Sequence, residues 1–182
     1  MESHPDPGAP LGLRHNQNRL VAYDARWAAE FEAERVRLAQ ALPPSTRGIE
    51  HYGSTSVPGL PAKPILDILV GVSPGSDWVA CHDPLLQLGY DYAESAGVPG
   101  HHIFGRGRDR GERTHLVHVV EFGGESWNSN LAFRDALRSD GQLRHRYLAL
   151  KEQAIAAAPE GRAAYNAQKQ AFIAAIKKRL AG

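Results

Sequence analysis

The sequence predicts an α+β domain in which helices flank a small mixed β-sheet and the C-terminal third is helical. Two apolar runs rich in β-branched residues, Ile65–Val72 and Thr114–Phe122, have the length of buried strands, and helical patterns lie on either side of them. After about residue 127, large apolar side chains recur at helical spacing. The 182 residues fit one domain, which we place at 20–182 behind a flexible leader (1–19) that is rich in proline and glycine.

The first predicted helix begins after Asp24, a candidate N-cap, and ends before Pro43. Its apolar face has four members, spaced four, seven and four residues apart: Trp27, Phe31, Leu38 and Leu42. A short strand, Gly48–Tyr52, follows it. The next segment, 53–64, carries several prolines and small residues and is therefore predicted to be a loop. This loop leads directly into the buried strand at Ile65–Val72.

Shorter elements are predicted between the two strong strands. A helix starting at Ser76 or Asp77 is followed by strands at Gly89–Tyr92 and His102–Phe104. The segment 105–111 alternates glycine and arginine and is predicted to be a mobile basic loop. Three faces indicate the C-terminal helices: Trp127 with Leu131, Leu143 with Tyr147 and Leu150, and Phe172 with Ile176 and Leu180.

Composition narrows the class of function. Lys plus Arg number 21 and Asp plus Glu number 20, so the net charge of +1 gives no general attraction to nucleic acid or anionic membranes. No run approaches the ~18 apolar residues of a membrane helix, and the first residues do not read as a signal peptide. The single cysteine, Cys81, excludes an internal disulfide. We therefore expect a cytoplasmic protein that acts on small molecules; its oligomeric state is left open.

The most informative segment joins the Gly48–Tyr52 strand to the next strand. Gly53 permits an unusual backbone conformation, and the following residues, Ser54 and Thr55, offer hydroxyls beside backbone N–H groups. Lys63 adds a positive charge near the end of this loop. Asp67 then lies within an apolar strand, where a carboxylate is costly unless it is paired or bound to a metal. This combination suits anionic oxygens such as those of phosphate.

A Gly-Ser pair followed by an acid on the next strand resembles the nucleotidyltransferase superfamily, and the whole stretch from His51 to Val70 resembles the GrpB family, also called UPF0157. The resemblance covers roughly residues 20–180. Further matching segments are Val21–Asp24, Trp27–Phe31, Arg113–Glu121, Leu131–Arg138, Tyr147–Lys151 and Tyr165–Phe172. It implies a nucleotidyltransferase-like fold. A related domain also occurs fused to dephospho-CoA kinases in some bacteria.

The resemblance also implies a set of site residues. Gly53, Ser54 and Thr55 would contact a nucleotide phosphate, and Asp67 would bind Mg²⁺ or Mn²⁺. The later strand would supply a second metal ligand or a base, for which Glu121 and His118 are the candidates. Apart from the resemblance, the residues themselves suggest three sources of positive charge for the phosphates: Lys63 in the loop, Arg113, which leads into the later strand, and Arg134 on a predicted helix. One departure stands out, because the second acid expected on the first strand is replaced by Leu69.

Strand geometry restricts these choices. Successive side chains of a strand alternate between faces, so only one of His118 and Glu121 can share a face with the site unless a bulge intervenes. For the same reason His115 and His118 are expected on opposite faces. Two alternatives stay open: Arg134 binds phosphate or pairs with a surface carboxylate, and the arginines of segment 105–113 bind polyphosphate or are solvated.

The function implied is that of an enzyme that binds a nucleoside triphosphate and a divalent ion. It would transfer a nucleotidyl or phosphoryl group to a small-molecule acceptor, with Glu121 or His118 as the base. Two other functions compete with this one. The first is a non-catalytic nucleotide- or metabolite-binding module, which Leu69 favours. The second is an interaction domain linked to coenzyme A metabolism.

Overall fold

The computed structural model describes residues 10–15, 17–76, 78–157 and 162–182. Its helices are α1 (Arg26–Ala41), α2 (His82–Gln87), α3 (Glu125–Ser139), α4 (Gly141–Ala157) and α5 (Arg162–Ala181). Its strands are β1 (Leu13–Arg14), β2 (Thr46–Tyr52), β3 (Leu66–Val72), β4 (Asp91–Tyr92), β5 (His102–Arg106), β6 (Glu112–Arg113) and β7 (His115–Glu121). Short 3₁₀ turns cover Ser54–Ser56, Trp78–Cys81 and Glu94–Ala96.

Five strands form the main sheet in the order β2-β3-β7-β5-β4. The central pair, β3 and β7, is parallel, while the other three pairs are antiparallel. The sheet is therefore small and mixed, helices flank it, and α3 to α5 make up the C-terminal third. This architecture confirms the predicted α+β fold class. Within the described residues, no helix combines the length and the apolarity needed to cross a membrane.

The two faces of the sheet are covered differently. One face packs against α1 and α2 in a large apolar core. Its principal members are Leu38, Ile68, Val70, Leu85, Phe104, Val117 and Val119. On the other face the Trp127 ring of α3 lies over the backbone of Gly48 and Gly71, so close that a Cβ on Gly71 would come within 2.8 Å of it. Small residues at these points let α3 approach the sheet, and α4 and α5 pack beyond it.

The predicted leader differs from the structure in its last residues. Leu13–Arg14 pairs with β6, the side chain of Leu13 is 1% exposed, and the Gly12 N–H donates to the Pro64 carbonyl at 2.8 Å. The paired backbone and the buried leucine fix this part of the segment to the domain. Residues 1–9 and 16 of the predicted leader lie outside the described residues.

The segment 105–111, which was predicted to be a mobile basic loop, is also different in the structure, and so is the neighbouring Arg113. Arg106 belongs to β5 and donates to Glu34 at 2.8 Å. Arg108 donates two hydrogen bonds from its guanidinium and one from its backbone N–H to the buried Glu112, and these hold the pKa of that carboxyl down at about 2. Arg113 pairs with Asp91 at 2.7 Å. These arginines are bound to carboxylates of the same chain because the surrounding strands bring acids within reach.

Candidate functional site

The loop after β2 lies directly against the acid of β3. Tyr52 and Asp67 are register partners, so Gly53 begins the loop beside the Asp67 side chain. Gly53 has a φ of +71° and a ψ of −176°, a conformation that is almost restricted to glycine. A Cβ on Gly53 would lie 2.5 Å from Asp67 Oδ2. Glycine is thus required here for two separate reasons, the backbone angle and the close approach of the carboxylate.

Ser54 begins the 3₁₀ turn, and α4 covers it. Lys151 Nζ donates to the Ser54 hydroxyl at 3.2 Å and to the Pro61 carbonyl at 2.7 Å. The Tyr147 hydroxyl also hydrogen-bonds with Ser54, and burial raises the pKa of Tyr147 above its usual range. Ser54 is therefore held between two side chains of neighbouring turns of α4.

Lys151 is an unusual lysine, because only 1% of it is exposed. Burial, together with the charges of Lys169 and Lys63, lowers the pKa of Lys151 to about 7. The described carboxylates form no ion pair with it. A buried ammonium without a carboxylate partner favours an anion as its ligand.

Two adjoining cavities form the cleft, and they share Ser54, Asp67 and Lys169. The first, which we name the lysine chamber, has a volume of about 180 Å³. Besides the shared residues its walls include Lys63, Lys151 and Tyr165. The second chamber has a volume of about 190 Å³. Besides the shared residues its walls include His101, His118, Asn130, Phe133, Ile173 and Lys177. Asp67 thus lies where a strongly basic cavity meets a less charged one.

His118 is the closest titratable neighbour of Asp67 on β7. The pairing of Leu69 with His118 puts both side chains on the Asp67 face of the sheet, and His118 Nε2 lies 3.7 Å from Asp67 Oδ1. This nitrogen is buried and has no hydrogen-bond partner. The other ring nitrogen, Nδ1, lies 3.1 Å from His101 Nδ1. Burial, followed by the charges of His118 and Lys177, lowers the pKa of His101 to about 4, so His101 is neutral at pH 7.

Glu121, the other candidate on β7, lies elsewhere. It is exposed, its register partner is Val72, and its side chain is on the face opposite Asp67. It lines a shallow cavity beside Trp78 and His102. Asp67 is level with Leu116, so the five residue steps from Leu116 to Glu121 separate the two acids by about 16 Å along the strand. The structure brings His118, and not Glu121, to Asp67.

Two of the predicted phosphate contacts, Lys63 and Thr55, border the lysine chamber. Lys63 faces the lysine chamber with its Nζ 3.7 Å from the centre of the Tyr165 ring, and it donates to Asn18 at 2.8 Å. Thr55 also borders this chamber, but it is buried and its hydroxyl bonds to His51 Nε2 at 2.9 Å. The Thr55 hydroxyl is therefore already engaged in a hydrogen bond that supports the turn.

The two predicted arginines are both paired. Arg134 borders the second chamber and donates to Glu50 at 2.7 Å and to Asp135 at 2.8 Å. Arg113 lies against Gly105, pairs with Asp91, and borders neither chamber. Their charges are balanced by acids of the same chain, so they add less to the cleft than the lysines do.

Several residues of the cleft were not predicted as site residues: Lys151, Lys169, Lys177, Tyr147 and His101. One signal was present in the sequence. The buried residues of α4 are Leu143, Tyr147, Lys151 and Ala154. A lysine is rarely buried on such a face unless its ammonium has a polar partner. The other lysines recur on one face of α5, but only the packing of α5 over the β2–β3 loop assigns that face to the cleft.

The donor set at Asp67 fits one divalent ion and not two. Leu69, at the position of a second acid, is fully buried in a cluster with Val120 and Trp127. In the part of the chain that the structure describes, no three His, Cys, Asp or Glu side chains gather as a metal site. Asp67 is the one carboxylate that lines both cavities among the described residues, so phosphate and water oxygens must complete the coordination sphere, as Mg²⁺ and Mn²⁺ commonly allow.

Comparison with known proteins shows which family the chain resembles. The family described as "GrpB protein" matches residues 17–179. The chain is 30% identical to the glutamate-rich protein GrpB of Alkalihalophilus pseudofirmus over 166 residues, which is 90% of this chain and 95% of that protein. The crystal structure of the conserved protein GrpB from Enterococcus faecalis is similar with a TM-score of 0.75 and 35% identity, over 89% of this chain and 96% of that one.

A further relative is longer. The dephospho-CoA kinase of Mycolicibacterium paratuberculosis is 30% identical over 176 residues, which is 84% of this chain and only 43% of that protein. The likeness therefore concerns one part of the kinase chain. Taken with the match over residues 17–179, these similarities establish the relationship. The chain belongs to the GrpB family.

Proposed function

We propose that this protein is a nucleotidyltransferase-type enzyme that binds a nucleoside triphosphate and one divalent ion and transfers the nucleotidyl group to a small-molecule acceptor. The observation that carries the proposal is the meeting of the Gly53–Ser54 loop with Asp67 beside the lysine chamber. A hydroxyl, a buried ammonium and two further lysines converge on a space in which Asp67 is the one acid among the described residues. Polyphosphate is the common biological ligand with that charge pattern.

In the proposed complex the lysine chamber holds the two terminal phosphates. Lys63, Lys151 and Lys169 neutralise their charge, and Ser54 donates a hydrogen bond to a phosphate oxygen. The α-phosphate then lies at Asp67, where the two chambers join. Asp67 would hold the divalent ion together with phosphate and water oxygens, and the ion would neutralise charge at the α-phosphate.

The acceptor approaches the α-phosphate from the second chamber. A bond forms between its oxygen or nitrogen and the α-phosphorus, the bond from that phosphorus to the bridging oxygen breaks, and pyrophosphate leaves in the lysine chamber. The acceptor proton passes to His118 Nε2, which has no other partner. This requires the His118 tautomer whose Nδ1–H donates to the neutral His101. His118 is thus the base in the proposal, and Glu121 has no part in it.

A second candidate is a non-catalytic module that binds the same ligand. The observation that favours it is Leu69, which is buried in the apolar cluster where a second acid is expected. An interaction domain linked to coenzyme A metabolism is a third candidate, which the likeness to part of a dephospho-CoA kinase suggests.

Calorimetric titration with ATP, GTP, CTP and UTP in the presence of Mn²⁺ tests the proposal. We expect the wild type to bind at least one of them and Asp67→Asn to weaken binding at least about tenfold. Glu121→Gln is the matched control, since it removes an exposed carboxylate on the other face, and its affinity should stay within about twofold.

Failure of the wild type to bind any of the four nucleotides would overturn both the enzyme and the binding module. Binding without pyrophosphate release on a broad panel of alcohols and amines would favour the non-catalytic module. Co-purification with a dephospho-CoA kinase, without nucleotide binding, would favour the interaction domain.

A further inference from the structure

The second chamber has chemistry of its own. Its volume of about 190 Å³ is only slightly larger than the cavity of about 150 Å³ that holds a benzene molecule. Phe133 and Leu137 of α3 and Ile173 of α5 form an apolar wall. A compact ligand with a hydrocarbon body fits this wall and this volume better than a nucleoside does.

Two cations of this chamber form no ion pair with a described carboxylate: Lys169, which is shared with the lysine chamber, and Lys177, which borders this chamber alone. Lys177 Nζ is half-buried and hydrogen-bonds to the neutral amide oxygen of Asn130 at 2.8 Å. Burial lowers the pKa of Lys177, and Glu125 partly opposes this shift without forming an ion pair. Arg134, the third cation of this chamber, is already bound to Glu50 and Asp135. When the charge of Asp67 is set against that of the shared Lys169, about one unit of uncompensated positive charge is left at Lys177, which suits a monoanion.

Another polar group of the chamber lies beside Asp67. His118 Nε2 is buried there without a hydrogen-bond partner, 3.7 Å from Asp67 Oδ1. A buried nitrogen without a hydrogen bond raises the free energy of the protein. A ligand hydroxyl or amine that donates a hydrogen bond to Nε2 removes this penalty. Lys177 and His118 thus suit two different polar groups of one ligand, and the apolar wall suits its hydrocarbon.

We infer that the second chamber binds a small hydroxy- or amino-carboxylic acid with an apolar body. Its carboxylate lies at Lys177 and Asn130, its hydrocarbon lies against Phe133 and Ile173, and its hydroxyl or amine lies at His118 Nε2. The identification of this acid as the acceptor rests on the proposed function, since only then does the group at His118 face an α-phosphate. Binding of the acid itself does not depend on the nucleotide.

The probe is 2-hydroxy-4-methylpentanoate, titrated into the full chain and followed by amide NMR without nucleotide or metal. We expect saturable shifts around the second chamber, and about tenfold weaker binding of the corresponding amide, which lacks only the charge. Lys177→Met should weaken binding of the acid by a similar factor. Lys178→Met removes the adjacent exposed lysine of α5 and should leave the affinity within about twofold.

Equal affinity of the acid and its amide would overturn the inference, and this comparison needs no variant that must fold. Unchanged binding by a folded Lys177→Met would also overturn it. Displacement of the acid by free adenosine or uridine would identify the chamber as a nucleobase site instead. If the acid binds here and no triphosphate binds in the calorimetric titration, the proposed function fails while the carboxylate site stands.

Discussion

The Gly53 backbone and the Asp67 carboxylate are in direct contact, so that a Cβ added to Gly53 would lie 2.5 Å from Asp67 Oδ2. This contact joins the two features on which the proposed function depends, the phosphate-binding loop and the acid of the neighbouring strand. Because β2 and β3 are adjacent and Tyr52 pairs with Asp67, the loop cannot move far from the acid without breaking the sheet. The loop and the carboxylate therefore form one unit.

Replacing Gly53 with alanine should damage this unit in two ways. The backbone angles of Gly53 (φ +71°, ψ −176°) cost an alanine about 1–3 kcal/mol of folding free energy, and the new methyl group displaces the Asp67 carboxylate. Gly59→Ala is the matched control, because Gly59 has a similar φ of +79° with nothing within 4 Å of the added Cβ. Urea denaturation should show a larger loss for Gly53→Ala than for Gly59→Ala. Equal losses would mean that the contact with Asp67 contributes nothing.

Lys151 should make stability depend on pH in alkaline solution. Its pKa falls from 10.5 to about 7 on folding, so between these values the unfolded chain holds a proton that the folded chain has lost. The free energy of unfolding should therefore rise with pH across this window, by up to about 1.4 kcal/mol per pH unit. The groups that face Lys151 are Ser54 and Pro61 of the loop, Tyr147 of its own helix, Lys63, and Lys169 of α5.

The measurement is urea denaturation of wild type and Lys151→Met from pH 6.5 to pH 9. The wild type should gain stability relative to the variant as the pH rises. Parallel curves over the whole range would show that the Lys151 pKa is close to its ordinary value in the folded protein.

Binding of tripolyphosphate should be coupled to protonation of Lys151. An anion in the lysine chamber raises the pKa of this ammonium from about 7, so protons are taken up when the ligand binds near pH 7.5. Calorimetry in buffers of different ionisation enthalpy measures that uptake. Protons that the ligand itself binds cancel when Lys151→Met is compared with the wild type. If Lys151→Met takes up as many protons as the wild type when the ligand binds, Lys151 is not part of the phosphate site.

Ionised Glu112 should stabilise the packing of residues 11–14 on the domain, and this stabilisation should be lost in acid. Hydrogen bonds from Arg108 lower the pKa of Glu112 from 4.5 to about 2, so its contribution to stability is complete above pH 4.5 and is lost as the pH falls towards 2. Thermal unfolding of Glu112→Gln should show a weaker dependence on pH between 4.5 and 2 than the wild type. Identical acid profiles would contradict this role for the Arg108–Glu112 pair.

Much of the strand arrangement could be predicted because it rests on local patterns. The β-branched runs matched β3 and β7, and the alternation of side chains meant that only one of His118 and Glu121 could face Asp67. The choice between them needed the register of β3 and β7, which depends on which residues pair across the sheet. The pairing of Leu69 with His118 and of Val72 with Glu121 supplies that information.

The charge partners could not be predicted for a related physical reason. Arg113 was assigned to phosphate because of its place before a strand, but Asp91 lies 22 residues away and only the β4–β5 pairing brings it near. Lys151 lies 97 residues from Ser54, on a helix whose apolar stripe indicated only burial. Long-range packing, rather than local sequence, decides which charges face the cleft.

The most direct test of the central claim is a crystal structure of the protein with a non-hydrolysable triphosphate analogue and Mn²⁺, using the manganese anomalous signal. The account predicts one manganese ion at Asp67, with the terminal phosphates among Ser54, Lys151 and Lys169. Manganese at Glu121, or phosphates bound at the Arg108–Arg113 segment instead of the lysine chamber, would contradict it.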